Sequence, residues 1–222
     1  MLRKGIFLVL SLIFAGAVYA EEAAQTTSFE EGVHYITLPA TAKQQTAVQS
    51  FLAMDQGKIQ VAEFFSYKCP GCYALEGHFM AWAAKQPQDV AIRKVPVAFG
   101  PTWAPLAKAY FVIEQMGKAD QLSGVIFSAI HKDRKSLETQ SEIAVLLSQH
   151  GVNLADFNAA YESFNVNRLW TQAQLVTQQE GVTSVPAVVV NGEYLTHLGL
   201  AKDSDQLMQV LDFLIEKARK GE

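Results

Sequence analysis

Cys69 and Cys72 are the whole thiol complement of this 222-residue chain, three positions apart in the stretch EFFSYKCPGCYALEG, residues 63–77. A pair at that spacing has three chemical uses: a structural staple, part of a metal site, or a reversible redox couple. The stabilisation from a staple grows with the loop it closes, and this pair encloses only Pro70 and Gly71. A zinc or iron–sulfur centre needs about four protein ligands, supplied by two such pairs or by one pair with histidines at set spacing. The five histidines, His34, His78, His131, His150 and His197, form no ligand-like pair. Reversible disulfide chemistry is therefore the reading, with no metal and no cofactor expected.

Reactive thiols need positioning. KIQVAEFFSY, residues 58–67, is an apolar and aromatic run of strand length. Pro70 suits a first helical turn because its missing N–H would be unpaired there, and Tyr73, Leu75, Phe79 and Trp82 recur at helical spacing behind it. Cys69 then lies at the mouth of a helix, where free N–H groups and the dipole stabilise a thiolate. Cys72 falls one turn inside, so the outer sulfur is the one for partners to attack and the inner one is shielded. VAIRKVPVAF, residues 90–99, is a second strand, and the strand–helix–strand order predicts a βαβ unit with parallel strands.

From Pro101 onward the period becomes helical. WAPLAKAYFVIEQMG, QLSGVIFSAIHK, SEIAVLLSQHG, LADFNAAYESF and RLWTQAQLVTQQEG all read as helices, several stopped by a glycine. SVPAVVVNGEYLTHL, residues 184–198, gives two strands around Asn191-Gly192, and an amphipathic helix follows Asp203 with Leu207, Val210, Leu211, Leu214 and Ile215 on one face. Ahead of all this, HYITL (residues 34–38) alternates as a sheet-edge strand. The fold class is therefore α/β, with an all-helical block inserted in a small α/β domain.

Two further features stand near the cysteines in this scheme. Proline is poorly tolerated in a strand except at its start or edge, and Val185-Pro186 begins one, as either an ordinary trans or a cis bond. Glu63 is the one charge in VAEFFSY, and a carboxylate in a buried strand is costly unless paired. Lys94 in the neighbouring strand is its candidate partner. The two either relay protons to Cys72 or simply reach the strand ends and solvent.

The first twenty residues set the compartment. Arg3 and Lys4 precede the apolar run Ile6–Phe14, and small residues lead to Val18-Tyr19-Ala20, the order of a secretory signal with cleavage after Ala20. The apolar run is too short to span a bilayer comfortably. Without the signal, 16 basic residues face 22 acidic ones, a formal charge of −6. A mildly acidic chain lacks the concentrated basic face that nucleic acid requires. Disulfides persist where exported proteins work.

Taken together, EFFSYKCPGCY, the inserted helices, GVTSVPAVVVNGEY and the terminal helix resemble the DsbA-like periplasmic thiol:disulfide oxidoreductases of the thioredoxin superfamily, over nearly all the mature chain. The resemblance implies a thioredoxin fold with an inserted all-helical domain: signal peptide 1–20, a discontinuous thioredoxin-like domain from 21–99 and 175–222, and the insert at 100–174. It implies Cys69 as nucleophile, Cys72 as resolving cysteine, Pro186 as a cis-proline facing them, and Glu63 and Lys94 as a buried charged pair. Val185, Pro186, Pro70 and Gly71 would meet substrate. Gly71 stands where the best-known members carry histidine. The implied activity is donation of the disulfide to exported proteins with free cysteines by a periplasmic monomer, which a DsbB-like quinone-linked membrane oxidase reoxidises. Competing readings are a disulfide isomerase or reductase of the same superfamily and a non-catalytic chaperone that uses a groove, for which Phe99, Trp103 and Trp170 are candidates. DsbC-type isomerases dimerise through an extra N-terminal domain, for which residues 21–56 are too short.

Overall fold

A computed structural model describes residues 28–40, 51 and 57–221. The signal-peptide reading falls on residues outside that set. Among the described residues one mixed sheet forms from β1 (Ile36–Thr37), β2 (Ile59–Phe65), β3 (Val90–Pro96), β4 (Ala187–Val190) and β5 (Tyr194–His197), in the order β1-β5-β4-β2-β3. β2 and β3 are parallel, with Glu63 opposite Lys94. β4 runs antiparallel to both β2 and β5. β2 and β4 lie inside the sheet with both faces covered, which is why they are near-continuous apolar runs rather than alternating ones.

Helix α1 (Pro70–Ala83) makes the crossover between β2 and β3. With α7 (Ser204–Lys220) it covers one face of the sheet, where Val61, Val188 and Val190 meet Leu75, Phe79, Leu207, Leu211 and Leu214. The other face packs against the inserted helices: α2 (Ala104–Gln115), α3 (Ala119–His131), α4 (Gln140–Ser148), α5 (Leu154–Tyr161) and α6 (Phe164–Gln179). There Ala62, Phe64, Val95 and Val189 join Leu106, Phe111, Ile126, Phe127 and Val176 in a second core. No helix among the described residues is long and apolar enough to cross a membrane.

Local chemistry sets the boundaries. The Asn191-Gly192 turn has both residues in the left-handed region, at φ 56° and 65°, with the Glu193 N–H donating to the Val190 carbonyl at 3.0 Å. Asp203 caps α7 by accepting the Gln206 N–H at 2.8 Å. Two strand boundaries differ from the sequence reading. The strand within HYITL is only Ile36–Thr37, opposite Leu195 and Tyr194, with the Leu38 N–H donating to the Glu193 carbonyl at 2.7 Å. β3 ends at Pro96, which an edge strand tolerates, and the Val97 N–H still donates to the Phe65 carbonyl at 2.7 Å. Helix α6 ends at Gln179 and Gly181 follows at φ 64°, as the helical reading of RLWTQAQLVTQQEG expects.

The face between sheet and α7 is the simpler of the two cores to test. Leu211 is fully buried there, so Leu211→Ala should cost about 3 kcal/mol in urea unfolding by leaving a cavity. A loss below about 1 kcal/mol would mean that α7 is not packed as described.

Candidate active site

Parallel β2 and β3 end at the same edge of the sheet, and antiparallel β4 begins there. That topology brings together the loop after β2, the residues after β3, and Pro186. Cys69 is the N-cap of α1, and its Sγ accepts the Cys72 N–H at 3.3 Å. The same sulfur lies 3.3 Å from the Val185 carbonyl oxygen. The Ser66 N–H points at Cys72 Sγ, 3.5 Å away. Both cysteines are free thiols here, Cys69 9 % exposed and Cys72 completely enclosed. The difference decides which sulfur an incoming thiolate reaches.

The electrostatics separate the two in the same sense. A hydrogen bond from the Cys72 thiol and the backbone N–H groups of Cys72 and Gly71 bring Cys69 down to about 6, against a smaller opposing effect of burial. Cys72 goes well up, because it keeps the proton that it shares with Cys69 and because it is buried. At neutral pH the pair is thus a thiolate at the rim and a thiol inside.

The Val185-Pro186 bond is cis, and β4 starts directly after it at Ala187. Gly71 lies against this proline. A Cβ at position 71 would come within 3.2 Å of Pro186 Cδ and 3.7 Å of Cys69 Sγ, tight against the proline and in ordinary contact with the sulfur. Beside them a cavity of about 330 Å³ is lined by Pro96, Val97, Phe99, Thr177 and Val182 among others. Phe99 is exposed and its ring packs 6.0 Å from that of Trp103. Trp170 instead packs half-buried against the helical core.

Beneath the cysteines sits a three-charge cluster. Lys94 Nζ lies 3.3 Å from Glu63 Oε2 and 2.5 Å from Glu76 Oε2. Glu63 is completely buried, and its neutralising partner does not offset that burial: desolvation pushes it up to about 7, with the Lys94 charge pulling the other way. Burial acts to lower Lys94, but the Glu63 and Glu76 carboxylates outweigh it and its pKa is raised. Glu63 can therefore hold or release a proton near neutral pH. The sequence reading paired Glu63 with Lys94 and missed Glu76, whose signal was its place four residues after Cys72, on the same face of α1.

The loop from β2 to Cys69 has other ties that sequence reasoning did not find. Tyr67 Oη and Ser123 Oγ on α3 are 2.9 Å apart, both buried, and Lys68 Nζ pairs with Glu138 at 2.9 Å. Both partners come from the inserted helical block, more than fifty residues away in sequence.

A thioredoxin-type sheet with a CxxC at the start of its crossover helix and a cis-proline beside it defines a thiol:disulfide oxidoreductase. Residues 60–212 match the family described as DSBA-like thioredoxin domain. The chain is 36 % identical over 220 residues to the thiol:disulfide interchange protein DsbA of Azotobacter vinelandii, covering 97 % of this chain and 99 % of that one. It is 33 % identical to the Pseudomonas aeruginosa protein of the same name over 96 % of each. The crystal structure of Pseudomonas aeruginosa DsbA superposes with a TM-score of 0.79 at 33 % identity, covering 87 % of this chain and 96 % of that one. That of Xylella fastidiosa DsbA gives 0.74 at 27 %, covering 84 % and 96 %. This chain belongs to the DsbA-like thioredoxin family.

Removing the cation of the buried cluster should be costly. Lys94→Met leaves Glu63 enclosed with no counter-charge and should lose about 3 kcal/mol at pH 8 in urea unfolding, since breaking one side of a buried pair strands the other. Lys94 pulls Glu63 down, so without it the stranded carboxyl titrates above the parent value of about 7, and the loss should shrink as pH falls from above 8 towards 7, where Glu63 takes up its proton in the parent as well. A loss independent of pH would contradict the burial of a titrating Glu63.

Proposed function

We propose that the protein donates a Cys69–Cys72 disulfide to exported polypeptides during oxidative folding in the periplasm. The observation that carries this reading is the asymmetry of the pair, with a reachable, readily ionised sulfur at the helix start and an enclosed, protonated one behind it. A substrate thiolate attacks the Cys69 sulfur of the disulfide; the S–S bond breaks, and Cys72 leaves with the electron pair and takes up a proton. A second thiolate of the same substrate then attacks the substrate sulfur of the mixed disulfide and releases Cys69 as thiolate. The substrate has lost two electrons to the protein, which now holds the dithiol.

Each neighbouring residue has a part in this scheme. Glu63, balanced by Lys94, passes the proton to and from Cys72. Val185 offers its backbone to an extended substrate segment beside Cys69, the mode by which peptides add to a strand edge, and Pro186, Pro70 and Gly71 line the approach. Substrate proteins are the partners. A DsbB-like quinone-linked membrane oxidase removes two electrons from the dithiol and restores the disulfide, and the protein acts as a monomer. In this reading residues 21–99 and 175–222 are the thioredoxin-like domain and residues 100–174 the helical insert.

Cysteine roles separate cleanly by substitution. Cys72→Ser should accumulate mixed disulfides with exported proteins through Cys69, whereas Cys69→Ser should lose dithiol oxidation altogether. Equal yields of adduct on Cys72 in Cys69→Ser would overturn the assignment, and activity retained there would point to a chaperone that uses only its groove.

Gly71 tunes the oxidant strength. Whatever stabilises the Cys69 thiolate favours the dithiol and makes the disulfide a stronger oxidant. Gly71→His brings an imidazole to the thiolate once Pro186 gives way by a few tenths of an ångström. It should lower the Cys69 pKa and raise the reduction potential by about 30 mV per unit, provided both pKa values lie below the assay pH. Equilibration with glutathione at pH 7 checks this, and an unchanged or lower potential would sink it.

A further inference from the structure

His131, the last residue of α3, reaches both flanks of the cysteine pair. Its Nε2 faces the Tyr67 backbone carbonyl at 2.8 Å, and since a carbonyl only accepts, that nitrogen is the donor. The imidazole ring also lies flat against Tyr73, with centroids 4.8 Å apart and planes 8° from parallel. Tyr67 stands two residues before Cys69 and Tyr73 one residue after Cys72. Phe127, one turn earlier on α3, packs edge-on against Tyr67 at 4.9 Å and also meets Tyr73 at 5.9 Å. One face of an inserted helix thus grips the chain just before and just after the redox motif, and His131 is the residue that does both with a polar bond and a stack.

This grip matters unequally to the two redox forms. In the disulfide, the covalent bond itself fixes Cys69 against Cys72. In the dithiol, the 3.3 Å hydrogen bond from the Cys72 N–H to Cys69 Sγ survives only if the backbone from Tyr67 to Tyr73 is held in place. We propose that His131 is a positioning residue for the cysteine pair: by fixing Tyr67 and Tyr73 it stabilises the dithiol over the disulfide and so strengthens the protein as an oxidant. It acts through those two residues rather than on a sulfur. The inserted helices then set the redox poise of the thioredoxin-like part through this side chain.

The inference rests on the reading of Cys69 as the readily ionised thiol. The test uses the full chain with His131→Leu, His131→Gln and Tyr73→Leu, measured by ultraviolet titration of the Cys69 thiolate, by equilibration with glutathione, and by urea unfolding of both redox forms. In His131→Leu, Cys69 should titrate at higher pH, and the ratio of dithiol to disulfide at a set glutathione poise should fall about threefold to tenfold, the effect of one net hydrogen bond. The reduced form should lose more stability than the disulfide form. His131→Gln keeps an N–H donor and should recover part of the ratio. A purely structural histidine would instead weaken both redox forms equally and leave the titration and the ratio where they were, which would overturn the proposal. Should His131→Leu fail to fold, Tyr73→Leu removes the stack and leaves the hydrogen bond; an unmoved ratio there overturns it as well. If instead the unmodified protein shows no thiol ionising below a free cysteine, the reading of Cys69 itself fails.

Discussion

The hydrogen bond from the Cys72 N–H to the sulfur of Cys69 organises the rest of this molecule. A helix leaves its first N–H groups without partners inside the helix, and here a sulfur rather than an oxygen caps them. As a thiolate that sulfur carries charge into the positive end of the helix dipole. For this to work, α1 must begin at Pro70, the strand before it must deliver Cys69 to the right point, and the second cysteine must fall one turn inside, where it is shielded. Each of these conditions is met by an element whose sequence has little other freedom: a β2 buried from Val61 to Phe65, a proline at the first helical position, and a sheet edge where three strand ends converge.

Beneath the pair, the cluster of Glu63, Lys94 and Glu76 carries a burial cost of its own. Two carboxylates share one ammonium, with Glu63 closed to water and Lys94 and Glu76 partly exposed. The outcome is an uneven cluster in which Lys94 stays charged and Glu63 sits near its titration point. That is a poor arrangement for stability alone, because a well-packed apolar trio would avoid the desolvation. It is a suitable one for exchanging a proton beside an enclosed thiol.

Much of this was legible in the residues themselves. The cysteine spacing, Pro70 and the aromatic strand point to a redox pair at a helix start, and Glu63 stands out because one charge in a buried strand demands a partner. Asn191-Gly192 announces its hairpin through two residues that tolerate left-handed backbone. What stayed hidden depended on distance across the fold. Glu76 reads as an ordinary helical acid until β3 brings Lys94 beside it. Ser123, His131 and Glu138 lie in the inserted helices, and nothing local to them says that they will meet residues 67 and 68.

The central claim is that the folded protein stabilises the Cys69 thiolate. It is tested most directly by comparing the unfolding free energies of the dithiol and disulfide forms across pH. Cys69 ionises at about 6 in the folded dithiol against 9.0 for a free thiol, and most other groups cancel in the difference because they are common to both forms. A depressed pKa contributes stability that is complete above the unfolded value and is lost as pH falls through the folded one. The dithiol should therefore gain stability relative to the disulfide as pH rises from about 6 to about 9, by roughly 1.4 kcal/mol per unit of pH. A difference that stays flat over that range, or that grows as pH falls, would contradict the account.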